Sequence, residues 1–163
     1  RYEGSLWQQI GGEAIMGPAA RRDEIVESLL LITLDWEAAR MQYPDAVVLS
    51  RDTGFTRDYS YYPYGTYEEN GEIFFRVLRT DERLHPKEWV YGIEVNGVTK
   101  AYPESFLLSQ SFIRDLVGNE SVEVSIDDGI VSFVDPDGNE IVPLRSFWFA
   151  WAAFHPETQL YVN

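Results

Sequence analysis

The sequence predicts an α+β fold of mostly antiparallel strands and short helices, arranged as two pseudo-repeated sheet modules of which the first is incomplete. Three observations lead there. Residues 90–95 and 98–102 are apolar runs flanking Asn96-Gly97, the dipeptide best suited to a type I′ hairpin turn. Residues 121–126, 130–134 and 139–142 read as strands separated by Asp127-Asp128-Gly129 and Asp135-Pro136-Asp137-Gly138, both strong turn signals. Two distant segments also resemble each other: Trp36 precedes Pro44-Asp45 as Trp148 precedes Pro156-Glu157, a shift of 112 residues.

Taken in order, residues 5–34 alternate short apolar stretches with Gly11-Gly12 and Gly17-Pro18, as strands broken by turns do. Residues 24–34 are rich in Ile, Val and Leu and fit a buried strand. Asp35 can N-cap a helix over Trp36–Gln42, with Trp36, Ala39 and Tyr43 as its buried stripe and Pro44 as its stop. Residues 46–49 resume as a strand, 50–72 form a loop, and 73–78 form another strand. After the hairpin, residues 103–111 suit a short helix. The last helix covers about 146–154, and residues 159–162 close as a strand.

The repeat divides the chain into residues 1–87, the later part of a first module with the loop 50–72, and residues 88–163, a second module. The stripe Trp36, Ala39 and Tyr43 aligns with Trp148, Trp151 and His155. Shifted back by 112, the hairpin near residue 90 falls before the chain begins. Copy one therefore lacks its opening strands, and another segment should cover the sheet edge this leaves.

Composition narrows the function classes. With 45% apolar and 15% aromatic residues the chain can bury a core. A net charge of −14, from 27 acidic against 13 basic residues, repels phosphate backbones, so nucleic acid is excluded as a partner. The chain has no cysteine, which removes disulfides, thiolate nucleophiles and cysteine-ligated zinc. The longest apolar run, 147–154, falls far short of the roughly 20 residues that span a bilayer. No signal peptide is visible, but a chain opening on Arg1 is uninformative on that point.

The densest oddity is the segment 55–67, with Phe55, Tyr59, Tyr61, Tyr62, Tyr64 and Tyr67 around Arg57 and Asp58. Tyrosines give binding loops a large contact area at low entropic cost and stack on sugar rings. The plainer reading is that they pin a long loop to the core. His155 and His85 are the two histidines and sit in no ligand-spaced cluster, so His155 reads first as a packed residue. Asp135, Asp137 and Asn139 invite weak calcium binding, but the glycine and glutamate of the usual loop are misplaced and a tight hairpin is the simpler reading. Glu13, Asp52 and Asp58 are the carboxylates to test for hydrolysis, with an Arg57–Asp58 ion pair as the structural alternative. The sequence carries no nucleophile elbow, P-loop, dinucleotide fingerprint or zinc-protease helix, and no catalytic residue, cofactor or metal is expected.

Several stretches resemble the family known as domain of unknown function 3179. They begin with Gly4-Ser5-Leu6-Trp7-Gln8, Gly12-Glu13-Ala14-Ile15 and Gly17-Pro18, and continue through Tyr43-Pro44-Asp45 and Asp52-Thr53-Gly54-Phe55. Arg57-Asp58-Tyr59, Gly92-Ile93-Glu94-Val95-Asn96-Gly97, Lys100-Ala101-Tyr102-Pro103, Phe147-Trp148-Phe149-Ala150-Trp151 and Phe154-His155-Pro156-Glu157-Thr158 complete the series. The resemblance implies an extracytoplasmic protein, secreted, periplasmic or anchored at the cell surface, without an established activity. It also implies an upstream Cys-Pro-x-Cys-Gly segment that these residues do not contain.

The expectation is a non-catalytic domain acting by protein–protein contacts in an envelope or extracellular assembly. Its partner would be another protein or the missing N-terminal segment of the same polypeptide. Two rivals stand beside it: the scaffold half of a thiol-redox or metal-handling protein whose active segment lies upstream, and a carbohydrate-binding module using the tyrosine loop. Exposed, coplanar rings would favour the last.

Overall fold

A computed structural model describes residues 4–74 and 76–162. The chain is an α+β fold of short helices and mostly antiparallel strands. Its best-packed part lies in the second half and grows from the hairpin. β3 (Trp89–Val95) and β4 (Val98–Pro103) pair antiparallel around Asn96 and Gly97, whose φ values of 51° and 78° are those of a type I′ turn.

Successive side chains of a strand point to opposite faces, and this hairpin buries both. Tyr91, Ile93 and Tyr102 face a four-stranded meander, while Val90 and Ala101 face the last helix. The meander comprises β5 (Phe112–Val117), β6 (Glu120–Asp127), β7 (Ile130–Val134) and β8 (Glu140–Ile141), contributing Ile113, Val117, Val122, Val124, Val131 and Phe133 to the core. The last helix, α3 (Trp148–Phe154), packs Trp148, Trp151 and Ala152 on the other side. Three layers result, with the hairpin in the middle.

Two strands flank that hairpin. β9 (Leu144–Phe147) runs antiparallel to β3, and β10 (Gln159–Leu160) runs parallel to β4. Gly92 permits the close approach of helix and sheet: a Cβ there would lie 2.4 Å from the Trp151 ring. A polar cluster locks β4 to β5, where the Asp115 carboxylate accepts from the Tyr102 hydroxyl at 2.8 Å and pairs with Lys100 at 2.6 Å. Burial and that carboxylate raise the Tyr102 phenol well above its ordinary value.

The first half is different. β1 (Leu6–Trp7) and β2 (Ala14–Met16) form a small hairpin, followed by a 3-10 turn at Ala20–Arg22. α1 (Trp36–Gln42) forms as the sequence predicts, with the Asp35 carboxylate accepting from the Ala38 amide at 2.8 Å. A four-residue helix, α2 (Glu104–Leu107), replaces the longer one expected at 103–111. Among the described residues no helix is long and apolar enough to cross a membrane.

Several expectations need correction. Residues 24–34 are not a buried strand: pairing stops at the bridge between Glu13 and Ile25, and Leu29 and Leu31 are 80% and 84% exposed. Apolar composition predicts a strand only where a neighbouring strand can pair with it, and beyond that bridge none of the described residues does so. The same reason leaves 46–49 without strand pairing. Residues 73–78, apart from Phe75, which lies outside the described residues, are likewise unpaired. The α1 stripe is not buried either, with Trp36 62% exposed. β5 and β9 are strands that the sequence pattern does not announce, and residues 146–147 belong to β9 rather than to the last helix.

Segment 81–87 is built into the second half. The Trp148 indole donates to the Asp81 carbonyl at 2.9 Å, and the Arg83 guanidinium donates to the Thr158 carbonyl while lying 5.1 Å from the Trp148 ring. The Phe149 and Trp148 amides bond the carbonyls of Pro86 and Glu88.

Candidate functional site

The aromatic loop begins and ends differently. At its end, Tyr67 is buried against Phe74 at 4.0 Å, and Lys87 holds it. Only 4% exposed, Lys87 donates from Nζ to the Tyr67 carbonyl at 2.9 Å and to the Glu72 carbonyl at 2.5 Å, with the Asn70 carbonyl at 3.5 Å. Its ammonium lies 3.2 Å from the centroid of the Tyr67 ring. Three carbonyls and a ring face thus replace the water a buried ammonium loses. Sequence reasoning missed Lys87. Nothing in His85-Pro86-Lys87-Glu88 distinguishes a buried lysine from a solvated one.

Upstream of that anchor the rings face solvent. Phe55, Tyr59, Tyr61, Tyr62 and Tyr64 are all exposed, so the reading in which the rings pin the loop to the core holds for Tyr67 alone. Local bonds shape the loop: the Tyr59 hydroxyl meets the Thr53 hydroxyl at 2.7 Å, and the Tyr62 hydroxyl donates to Glu68, which raises the Tyr62 phenol. Asp58 accepts from the Ser60 hydroxyl at 2.5 Å and the Ser60 amide at 2.9 Å, and these bonds lower its carboxyl below the usual range. Arg57 turns to Phe55, 6.0 Å from the ring centroid, instead of pairing with Asp58. Tyr62 and Tyr64 stand edge to face at 69°, and Tyr64 and Tyr67 are tilted by 39°.

His155 lies apart from the loop. It caps α3, with its amide bonded to the Trp151 carbonyl and its ring 3.9 Å from the Trp151 ring. Burial lowers its pKa below the ordinary 6.5, against a smaller opposing pull from Glu94.

Asp135, Asp137 and Asn139 form a turn. The Asp135 carboxylate accepts from the Asp137 and Asn139 amides and from the Asn139 side chain, at 2.9, 2.8 and 2.8 Å, and these bonds lower its pKa. Among the described residues no group of three or more His, Cys, Asp or Glu side chains converges as metal ligands would. Glu13 sits at the bridge to Ile25, the Asp52 amide bonds the Ser50 hydroxyl, and the Asp58 carboxylate accepts from Ser60.

A cleft of about 410 Å³ lies where residues 29–33 pass the sheets, against Trp89, Tyr91 and Arg145. There the Arg145 guanidinium stacks 3.8 Å from the Trp89 ring centroid and forks onto Glu104 at 2.6 and 2.8 Å. The bidentate pair holds Arg145 firmly charged and turns it toward the protein.

Comparison with known proteins gives one match. The family model described as "Protein of unknown function (DUF3179)" covers residues 1–138. No curated protein and no solved structure matches the chain. The match ends before β8, so the resemblance read at Phe147-Trp148 and Phe154-His155 lies beyond the matched residues. The chain belongs to the DUF3179 family.

Proposed function

We propose that this domain is non-catalytic and works by protein–protein contacts in an extracytoplasmic assembly, with the loop around residues 55–64 as its contact face. One observation carries the reading: five large aromatic side chains stand in solvent on a loop whose far end is fastened by Lys87 and Tyr67. Exposed aromatics anchored on a rigid base are the usual makings of a binding hot spot. The extracytoplasmic setting rests on the family resemblance. The carbohydrate reading is weaker, because flat stacking wants parallel rings and Tyr62 and Tyr64 stand at 69°.

The test replaces Phe55, Tyr61 and Tyr64 by Ser together. Partners are captured from the envelope fraction by crosslinking, identified by mass, and then purified and titrated against both forms. A partner that binds the parent chain at least tenfold more tightly than the triple variant, with unchanged thermal stability, supports the reading. Equal binding removes the loop from the contact. Oligosaccharide binding that depends on the same three rings would favour the carbohydrate reading instead.

A further inference from the structure

We propose that residues 32–50 are the exposed half of a second β-strand–helix–β-strand unit of the kind formed by β9, α3 and β10. We further propose that a β-hairpin on the polypeptide upstream of residue 1 completes it. The backbone evidence is a residue-by-residue correspondence at the 112-residue shift. α1 and α3 are both seven residues long and both begin at a tryptophan. Their N-caps, Asp35 and Phe147, have φ, ψ of −65°, 162° and −69°, 145°. Their C-caps, Tyr43 and His155, have −126°, 65° and −123°, 70°, an unusual conformation to find twice.

The hydrogen bonds agree as well. The Tyr43 amide donates to the Ala39 carbonyl and the His155 amide to the Trp151 carbonyl, both at 2.9 Å. The Ala46 amide then donates to the Tyr43 carbonyl, and the Thr158 amide to the His155 carbonyl, both at 3.0 Å.

What differs is the cover. Trp148 is fully buried, whereas Trp36 is 62% exposed. Gln159–Leu160 pair with β4, whereas Val47 and Val48, their counterparts, pair with nothing among the described residues and stand 98% and 68% exposed. A seven-residue helix has little stability of its own, since nucleation alone is unfavourable and isolated helices shorter than about 12 residues are marginal. The second half shows what such a helix packs on: a hairpin bearing Val90, Gly92 and Ala101 on one face, with strands along both its edges. The first half presents the helix and the two flanking segments without that hairpin.

The occupant follows from the same shift. Moved back by the repeat, the hairpin falls about 10 to 25 residues upstream of residue 1. A second copy of this chain cannot lend its own hairpin without unfolding, because both faces and both edges of β3 and β4 are already covered. The chemistry of the incoming hairpin is also constrained. Trp151 fills the space above Gly92, and its counterpart is the small Ala39, so the occupant carries a bulky apolar residue where β3 has glycine.

Hydrogen exchange on residues 28–50 tests this. It compares the 163-residue chain with the natural polypeptide extended by about 40 residues upstream. The expected result is exchange slowed at least 100-fold at 32–35 and 46–50 in the extended form, with Trp36 shielded from acrylamide. In that form Trp36→Ser should restore fast exchange, while in the 163-residue chain it should change nothing. Equal exchange in both forms overturns the proposal. Protection of the 163-residue chain that grows with its concentration also overturns it, by putting a second copy in the hairpin's place. Neither result bears on the aromatic loop, whose contact role is tested separately by the triple variant.

Discussion

The Lys87 ammonium and Tyr67 meet twice, once through the ring face at 3.2 Å and once through the backbone carbonyl at 2.9 Å. One side chain therefore fixes both the position and the orientation of the residue where the aromatic loop rejoins the fold. Lys87→Met keeps the aliphatic stem but leaves the carbonyls of Tyr67, Asn70 and Glu72 without their donor. The expected loss is about 2–4 kcal/mol in urea unfolding, accompanied by faster proteolysis within 55–70.

Gly92→Ala tests the close approach of α3. Alanine suits a strand better than glycine does, so any loss must come from the collision with the rigid Trp151 ring. Thermal denaturation should show a cost of about 1–3 kcal/mol. Combining it with Trp151→Leu should cost less than the two changes summed, because the smaller side chain vacates the space the new methyl needs.

The tryptophans that open α1 and α3 should respond in opposite ways in the 163-residue chain. Trp148→Ser empties a fully buried site and removes the indole bond to the Asp81 carbonyl, for an expected loss of about 3–5 kcal/mol. Trp36→Ser removes an exposed ring and should fall within about 0.5 kcal/mol. Denaturant midpoints of the two variants check this. Equal losses would mean that α1 is packed in solution.

His155 supplies a pH dependence of known sign. Burial lowers its folded pKa below 6.5, so the unfolded chain binds the proton more readily. Stability from this group is complete above pH 6.5 and falls as the pH drops below it, until the folded form also protonates. Neutralising carboxylates relieves the −14 net charge and works the other way, mainly at lower pH. The parent chain should therefore lose stability between pH 7.5 and about 5.5 relative to His155→Gln. Parallel curves for the two would remove the assignment.

What the sequence disclosed follows from where its signals are local. Asn96-Gly97 and Asp128-Gly129 fix hairpins through backbone geometry alone, and Asp35 and Pro44 bracket α1 within a few residues, so these features were legible. β5 was missed because Arg114 and Asp115 interrupt its apolar pattern. Arg114 pairs across the ladder with Glu123, and Asp115 serves Tyr102 and Lys100, so both charges have partners that only the fold supplies. The opposite error occurred at 24–34, where an apolar run promised a strand that has no neighbour to pair with. At the candidate site, the density of tyrosines was visible in the sequence, but the division between exposed rings and the anchored Tyr67 was not. That division depends on Lys87, 20 residues further along the chain.

Gly92 also sets the phase of its strand. If β3 slipped by a single residue, Tyr91 or Ile93 would be driven against α3 and the glycine would open a gap toward the meander. Both faces of this hairpin are apolar, so hydrophobic patterning alone distinguishes the two alignments poorly. The missing side chain under Trp151 breaks that degeneracy, acting as a notch that admits one alignment and rejects its neighbours.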